Sequence, residues 1–197
     1  MLIAMAGLPG VGKSALADAL GRRTRWPVLS VDPVEAALLG AGIGSHQPTG
    51  LAAYNIVDAL AEHLLRLGQT VIVDAVNAAA EARAQWVDLA ERTEVRLQFI
   101  EVICSDTELH RQRLEDRRRQ LGHLPEPRWE TLEQRRAQLL SWSGARLVID
   151  SVGDLDALVS ELVCELDPPG PSRAGSDAPP TPARQDGASR YWRISRP

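Results

Sequence analysis

Residues 7–14 of the chain read GLPGVGKS and combine residue types that together hold phosphate. Two glycines five apart let backbone N–H groups turn inward and form an anion nest, and a lysine and a hydroxyl residue follow at once. An apolar run precedes the loop and a helical pattern follows it, which is the context in which this motif binds a nucleoside triphosphate. The residues predicted to hold the nucleotide are Gly7, Leu8, Pro9, Gly10, Val11, Gly12, Lys13, Ser14 and Ala15.

Lys13 is the only lysine in the chain, and the other 21 of the 22 basic residues are arginines. Arginine replaces lysine easily on a surface, but its flat guanidinium does not fit a narrow space that an ammonium can fill. We therefore predict that Lys13 reaches the β- and γ-phosphates and acts in catalysis. The Ser14 hydroxyl is predicted to ligate Mg²⁺, and the helix that starts here adds its positive dipole end.

Composition restricts the protein class. The chain has 197 residues, of which 44% are hydrophobic and 24% are charged, as expected for one soluble globular domain. Its net charge of −4 argues against a general nucleic-acid binder. Cys104 and Cys164 form neither a disulfide framework nor a zinc motif. With no long apolar segment and no signal-peptide pattern, we expect a cytoplasmic protein without a membrane partner, and the oligomeric state stays open.

The hydrophobic pattern predicts alternating strands and helices up to residue 166. Strands are predicted at 2–6, 27–32, 70–77, 94–105 and 145–150. Helices are predicted at 14–25, 33–39, 51–67, 79–92, 106–121, 129–141 and 154–166. Such alternation predicts a three-layer α/β fold, with a parallel sheet covered on both faces.

The last 31 residues, 167–197, have a different composition. Fourteen of them are Pro, Gly or Ser, and such a segment buries too little apolar surface to offset its chain entropy. We expect a disordered tail. Its end, RYWRISRP, is either a tolerated terminus or a short docking motif.

The lone lysine also excludes a class, because a GTPase reads guanine with an Asn/Thr-Lys-x-Asp element that this chain cannot contain. Residues 1–166 resemble the small P-loop kinases related to shikimate, gluconate and polynucleotide kinases and to zeta-toxin kinases. Bacterial relatives of these are often called only AAA family ATPases. The resemblance implies a P-loop NTPase fold with a five-stranded parallel sheet in the order 2-3-1-4-5. It also implies a helical lid over about residues 106–128, and ATP and Mg²⁺ as cofactors.

The resemblance implies roles for residues after the second strand. Asp32 holds the position of the acid that orients or deprotonates the acceptor hydroxyl; the alternative is a cap on the next helix ahead of Pro33, and the two roles are compatible. Glu35 stands where relatives often carry an arginine that binds substrate. This departure argues against a phosphate or carboxylate on the acceptor and suits an amine or hydroxyls. His46 and Gln47, in a glycine-rich loop, are weaker substrate candidates.

The third predicted strand supplies another set of implied site residues. Asp74, in the sequence VIVDAVN, matches an acid that supports Mg²⁺ or binds substrate. Asn77 matches a substrate contact of the relatives, and Arg83 matches an arginine on the following helix. The alternative for Arg83 is a solvated helix face.

Two arginines in HRQRLEDRRR at 110–119 match the lid arginines of the relatives. Arg113 and Arg117 are four residues apart on one helix face, and both are predicted to stabilise transition-state charge. Glu115 and Asp116 could instead neutralise them in a surface network. After the last strand, Val152 and Gly153 are predicted to line the adenine pocket.

The function predicted from the sequence is transfer of the γ-phosphoryl group of ATP, with Mg²⁺, to a hydroxyl of a small molecule. A sugar, a nucleoside, a cofactor precursor and an antibiotic all remain possible acceptors. One alternative is a regulatory ATP-binding protein that acts through a partner docked by the tail. Another is a nucleic-acid end kinase, which the negative charge disfavours.

Overall fold

The computed structural model of the chain describes residues 1–44, 46–116, 121 and 124–166. Five strands form one sheet in which every pairing is parallel, in the order β2-β3-β1-β4-β5. The strands are β1 Leu2–Ala6, β2 Val28–Ser30, β3 Val71–Asp74, β4 Leu97–Ile103 and β5 Leu147–Asp150. The α/β class and the strand order predicted above are confirmed.

Helices connect the strands, as parallel pairing requires. They are α1 Lys13–Thr24, α2 Val31–Gly40, α3 Thr49–Arg66, α4 Ala80–Thr93, α5 Thr107–Glu115, α6 Glu133–Leu140 and α7 Leu155–Leu166. A 3₁₀ turn at Trp129–Leu132 leads into α6. Asp106 caps α5, since its carboxylate accepts a hydrogen bond from Leu109 N at 3.0 Å. Among the residues that the structure describes, no helix is both long and apolar enough to cross a bilayer.

The sheet buries both faces. Along β1, Ile3 and Met5 point to a cluster that contains Leu16 and Leu20 of α1 and Leu162 of α7. The alternate residues, Leu2 and Ala4, belong to a second cluster on the opposite face, with Val57 of α3 and Trp86 of α4. This alternation follows from the two-residue period of a strand, and it places the sheet between two helical layers.

The second strand ends earlier than predicted. We predicted a strand through Asp32, but β2 ends at Ser30 and Asp32 is the second residue of α2. Pro33 sits in the same first turn, where a missing N–H costs nothing. Strand β3 also ends earlier, at Asp74 rather than residue 77. The left-handed φ of 48° at Asn77 is incompatible with a strand.

All five strands run in the same direction, so their carboxyl ends and the loops that follow lie at one edge of the sheet. This edge carries the phosphate loop after β1, Asp32 after β2, Asp74 at the end of β3 and Ser151 after β5. Of the predicted lid, the structure describes α5 and most of residues 121–128.

Candidate functional site

The phosphate loop is fixed at its start between two strand ends. Gly7 N donates a hydrogen bond to Val76 O at 3.0 Å, beyond the end of β3. Gly7 has a φ of 136°, and a Cβ placed there would lie 2.3 Å from Val102 O in β4. No side chain fits this position, so only glycine lets the loop leave β1 in this direction.

The apolar residues of the loop anchor it from below. The side chains of Leu8 and Val11 are buried in the core cluster shared by α1 and α7. Lys13 is itself only 6% exposed, and its Nζ donates to Leu8 O at 3.5 Å. The ammonium is therefore held close under the loop backbone. This tight enclosure agrees with the argument that a guanidinium would not fit here.

A pocket of 420 Å³ opens beside the loop. One wall is formed by Gly10, Gly12, Lys13, Ser14, Ala15 and Leu16. The opposite wall is formed by Arg113, Ser151, Gly153, Leu155 and Leu158. The predicted nucleotide residues thus divide in two: Gly10 and the residues from Gly12 to Ala15 line the pocket, whereas Gly7, Leu8, Pro9 and Val11 are needed to shape the loop.

Arg113 is fixed on the pocket wall by the loop after β5. Its Nη1 donates to Ser151 Oγ at 2.8 Å, and its Nη2 donates to Ser151 O at 3.2 Å. A Cβ placed on Gly12 would lie 3.9 Å from Nη1 and 3.3 Å from Ser151 Cβ. The guanidinium therefore lies close to the phosphate loop, although a residue outside the predicted set holds it there.

The loop after β5 is organised by Asp150. Its Oδ1 accepts hydrogen bonds from Ser105 N at 3.1 Å and Val152 N at 3.2 Å. Burial opposes ionisation, but the hydrogen bonds from Ser105 and Val152 outweigh it and hold the pKa of the Asp150 carboxyl below its ordinary value. The side chain of Val152 is 46% exposed and does not line the pocket. Ser151 and Gly153, the neighbours of Val152, line the pocket instead.

Asp74 has one oxygen paired and one oxygen unpaired. Its Oδ2 accepts a hydrogen bond from Ser30 Oγ at 3.0 Å, and the two residues are register partners at the ends of β2 and β3. The side chain is buried, and Oδ1 has no hydrogen-bond partner among the described residues. Leaving a buried carboxylate oxygen without a hydrogen-bond donor is unfavourable. Oδ1 is therefore suited to accept a hydrogen bond from a water molecule bound to a metal ion. The hydroxyl of Ser14 and the carboxylate of Asp74 are both oxygen ligands of the kind that Mg²⁺ prefers, so their chemistry is compatible with this ion.

Tyr54 marks the position of the two acids that were predicted to act on the acceptor. Burial is the largest cause that raises the pKa of Tyr54, and the charges of Asp32 and Asp74 act in the same direction, against a hydrogen bond from Asn77 N to its hydroxyl; the resulting pKa is about 12. The charges of both carboxylates therefore act on the Tyr54 hydroxyl. Asp32 in α2 and Asp74 at the end of β3 thus both lie at this edge of the sheet and both contribute to the charge around Tyr54.

Asn77 has a structural role rather than the predicted substrate contact. It is fully buried, its Nδ2 donates to Met5 O at 2.7 Å, and its Oδ1 accepts from Trp86 Nε1 at 2.8 Å. Its side chain has no surface to offer a ligand, so we withdraw its assignment to the substrate. The left-handed φ and these two bonds instead fix the loop that leaves Asp74.

Arg83 supports the same loop from α4. Its Nη1 donates to the carbonyls of Asn77 and Ala78, and its guanidinium lies 4.6 Å from the centre of the Trp142 ring. The guanidinium of Arg146 lies 4.5 Å from the centre of the same ring. Arg83 therefore holds the backbone of this loop, and its predicted contact with substrate stays a prediction.

Glu35 also differs from its predicted role. Its Oε1 accepts a hydrogen bond from Thr49 Oγ1 at 2.9 Å, and the carboxylate lies beside Gly50. A negative charge beside the N-terminus of α3 complements the helix dipole, and the bond to Thr49 joins α2 to α3. His46 and Gln47 are both exposed in the loop between these helices.

Two further comparisons with the sequence complete the site. Arg117 lies outside the described residues, as does the predicted tail at 167–197. Four residues were missed by the site prediction: Ser30, Tyr54, His110 and Ser151. Ser30 and Ser151 had a signal, since each is a polar residue beside a strand end. Tyr54 and His110 had none, because their partners are distant in sequence.

The comparisons with known proteins agree with this fold. A family model described as an AAA domain matches residues 2–139. A search of curated proteins finds no match.

Solved structures similar to this chain are P-loop proteins of comparable size. A candidate kinase from Chloroflexus aurantiacus has a TM-score of 0.64 at 20% identity, over 82% of this chain and 95% of that one. The APS kinase of Mycobacterium tuberculosis, in complex with AMPPNP and APS, has a TM-score of 0.61 at 17% identity, over 84% and 96%. Kti12 of Chaetomium thermophilum, with ADP-AlF3, has a TM-score of 0.61 at 18% identity, over 84% and 97%.

Proposed function

The chain belongs to the AAA domain family, and from this membership and the geometry of the site we propose that it is an ATP- and Mg²⁺-dependent phosphotransferase acting on a hydroxyl of a small molecule. The observation that carries the proposal is the pocket with Lys13 and Ser14 on one wall and Arg113 and Ser151 on the other. Kinases with this fold bind nucleotide analogues, as the APS kinase complex illustrates.

The nucleotide half of the proposal rests on the phosphate loop. Lys13 brings a buried positive charge to the end of the loop, where the β- and γ-phosphates would lie. The N–H groups at the start of α1 add a positive dipole end. Arg113, held by two hydrogen bonds to Ser151, would offer positive charge to the nucleotide.

The metal would be held by Ser14 and, through water, by the unpaired Oδ1 of Asp74. Bound Mg²⁺ supplies neutralisation of phosphate charge as the γ-phosphoryl group is transferred. The protein prepares this by fixing Asp74 through Ser30, so that the free oxygen keeps one direction.

Asp32 is our candidate for handling the acceptor hydroxyl. It lies in the first turn of α2, at the same edge of the sheet as the phosphate loop, and shares the neighbourhood of Tyr54 with Asp74. A carboxylate beside an attacking hydroxyl orients it and accepts its proton. The C–O–H proton would pass to Asp32 as the oxygen bonds to the γ-phosphorus and ADP leaves.

Product mass tests the proposal. Purified protein is incubated with ATP, Mg²⁺ and a set of alcohols (sugars, nucleosides, cofactor precursors and hydroxylated antibiotics), and an acceptor that gains one phosphoryl group is sought. Asp32→Asn should lower the rate of transfer by about a hundredfold or more while ATP binding persists. Asp156→Asn is the matched control, because Asp156 also lies in the first turn of a helix, at the start of α7.

Other outcomes separate the alternatives. ATP binding with no phosphorylated acceptor, together with a loss of partner binding on deletion of 167–197, would favour a regulatory ATP-binding protein. Transfer to the end of an oligonucleotide, with affinity that falls steeply with salt, would favour a nucleic-acid end kinase. Full transfer activity in Asp32→Asn would show that Asp32 does not accept the proton of the acceptor hydroxyl.

A further inference from the structure

His110 connects the predicted lid helix directly to the phosphate loop. The residue lies in the middle of α5, is only 4% exposed, and its Nε2 is 2.8 Å from Pro9 O. The contact spans 101 residues of sequence. Gly10 allows the approach, because a Cβ there would lie 3.1 Å from Leu114 Cβ and 3.3 Å from the Cδ2 atom of His110.

The chemistry of this contact fixes which atom carries the proton. A backbone carbonyl can only accept, so the Nε2 of His110 must be protonated and donate. The imidazole ring also packs edge to face against Trp129, with 4.9 Å between the centres of the two rings. Trp129 is in turn flanked by Arg111 and Arg136, whose guanidinium carbons lie 5.1 and 5.2 Å from its ring centre.

The bond to Pro9 sets the direction of the next amide. In a planar trans peptide the C=O and the N–H point in opposite directions, and the described residues contain no cis peptide bond. With the Pro9 carbonyl turned towards α5, the N–H of Gly10 is turned away from α5. Gly10 lines the pocket beside the phosphate loop, so an N–H that points away from α5 is available to a phosphate bound there.

We propose that His110 is a positioning residue for the nucleotide: by holding the Pro9 carbonyl, it presents the Gly10 N–H to the terminal phosphates and couples α5 to the phosphate loop. This inference rests on the proposed function, since it requires that ATP binds in the pocket. It assigns His110 no contact with the nucleotide itself. The effect should therefore be specific to the phosphates that the Gly10 amide reaches, and should leave the base end of the pocket unchanged.

The test compares two replacements of similar length. His110→Gln keeps an N–H donor near the position of Nε2, whereas His110→Met fills the space without a donor. Dissociation constants for Mg·ATP and for AMP are measured by calorimetry, with thermal unfolding as the check on folding. We expect His110→Met to weaken ATP binding about tenfold or more and AMP binding less than twofold. We expect His110→Gln to stay within about threefold of the unmodified protein for both ligands.

Each other result contradicts the inference. His110→Met with unchanged ATP affinity would show that the bond does not orient the amide. Equal losses for ATP and AMP, or equal losses in the two variants, would show a general packing role. If His110→Met fails to fold, ¹⁵N NMR of the imidazole in the unmodified protein decides: the inference requires a protonated Nε2 whose shift changes with Mg·ATP and not with AMP. Absence of ATP binding by the unmodified protein would instead contradict the proposed function.

Discussion

Ser30 and Asp74, the last residues of β2 and β3, are register partners in the sheet and are joined by a hydrogen bond of 3.0 Å from Ser30 Oγ to Asp74 Oδ2. The bond occupies one carboxylate oxygen and leaves Oδ1 buried without a partner in the described part of the chain. It also occupies the hydroxyl that would otherwise cap α2, since Ser30 makes no capping bond. At this edge of the sheet, the Ser30 hydroxyl therefore orients Asp74 instead of capping α2.

The Ser30–Asp74 bond predicts a metal-specific phenotype. Ser30→Ala removes the group that orients Asp74, so the concentration of Mg²⁺ needed for half-maximal ATP turnover should rise about tenfold. Turnover at saturating Mg²⁺ should change far less. Ser160→Ala is the matched control, because Ser160 also donates through its hydroxyl, to Asp156 O at 2.8 Å on the exposed side of α7. Identical Mg²⁺ titrations for both variants would contradict the role of Ser30.

Arg113 offers a prediction that separates binding from chemistry. Because two hydrogen bonds to Ser151 hold the guanidinium at the pocket, we expect Arg113→Ala to raise the KM for ATP about tenfold and to lower kcat only slightly. Arg111→Ala, on the same helix but stacked on Trp129 outside the pocket, is the control. A large fall in kcat with unchanged KM would instead support the transition-state role that the sequence predicts.

Asn77 should behave as a structural residue. Asn77→Ala leaves Met5 O and Trp86 Nε1 without their buried partners, at a cost of about 3 kcal/mol in the free energy of unfolding. For a chain of this size, that corresponds to a fall in Tm of about 10 °C. Thermal unfolding measures this directly. A normal Tm together with a selective rise in the KM for the acceptor would restore the substrate contact that was predicted from the sequence.

The lowered pKa of His110 predicts that the stability of the folded protein depends on pH. Burial, together with the positive charges of Arg136, Arg113 and Lys13, lowers the pKa of His110, against the opposing effect of the Pro9 hydrogen bond. Below about pH 6.5, His110 is therefore protonated more readily in the unfolded chain than in the folded protein. As a result, the free energy of unfolding falls as the pH drops through that range.

Urea unfolding at pH 7.5 and 5.5 checks this effect. The fall in stability between the two pH values should be smaller in His110→Gln than in the unmodified protein. The other described histidines, His46 and His63, are exposed and present in both. An equal fall in the two proteins would show that His110 does not contribute.

The sequence predicted those parts of the site that local patterns encode. The phosphate loop follows from eight consecutive residues, and Asp74 follows from its place at the end of an apolar strand. The strand order came from the resemblance, because periodicity alone does not order strands. The end of β2 was misplaced because VD before Pro33 suits both a strand end and a first helical turn.

Side-chain partners across the fold could not be predicted in this way. Asn77 reaches Met5 across 72 residues, and His110 reaches Pro9 across 101. Both look from their neighbours in sequence like ordinary loop and helix residues. Their roles depend on where the sheet places β1 relative to β3 and α5, which is tertiary information.

Calorimetric titration of the protein with ATP in magnesium buffer tests the central claim most directly. We predict saturable binding of Mg·ATP, weakened at least about a hundredfold in both Lys13→Met and Lys13→Arg, because the space around this 6% exposed ammonium does not admit a guanidinium. Lys13→Met should keep a Tm close to that of the unmodified protein when no nucleotide is present, whereas Lys13→Arg should lower the Tm because the larger guanidinium is forced into the same space. Absence of binding to ATP and every other nucleoside triphosphate by the unmodified protein would contradict the account.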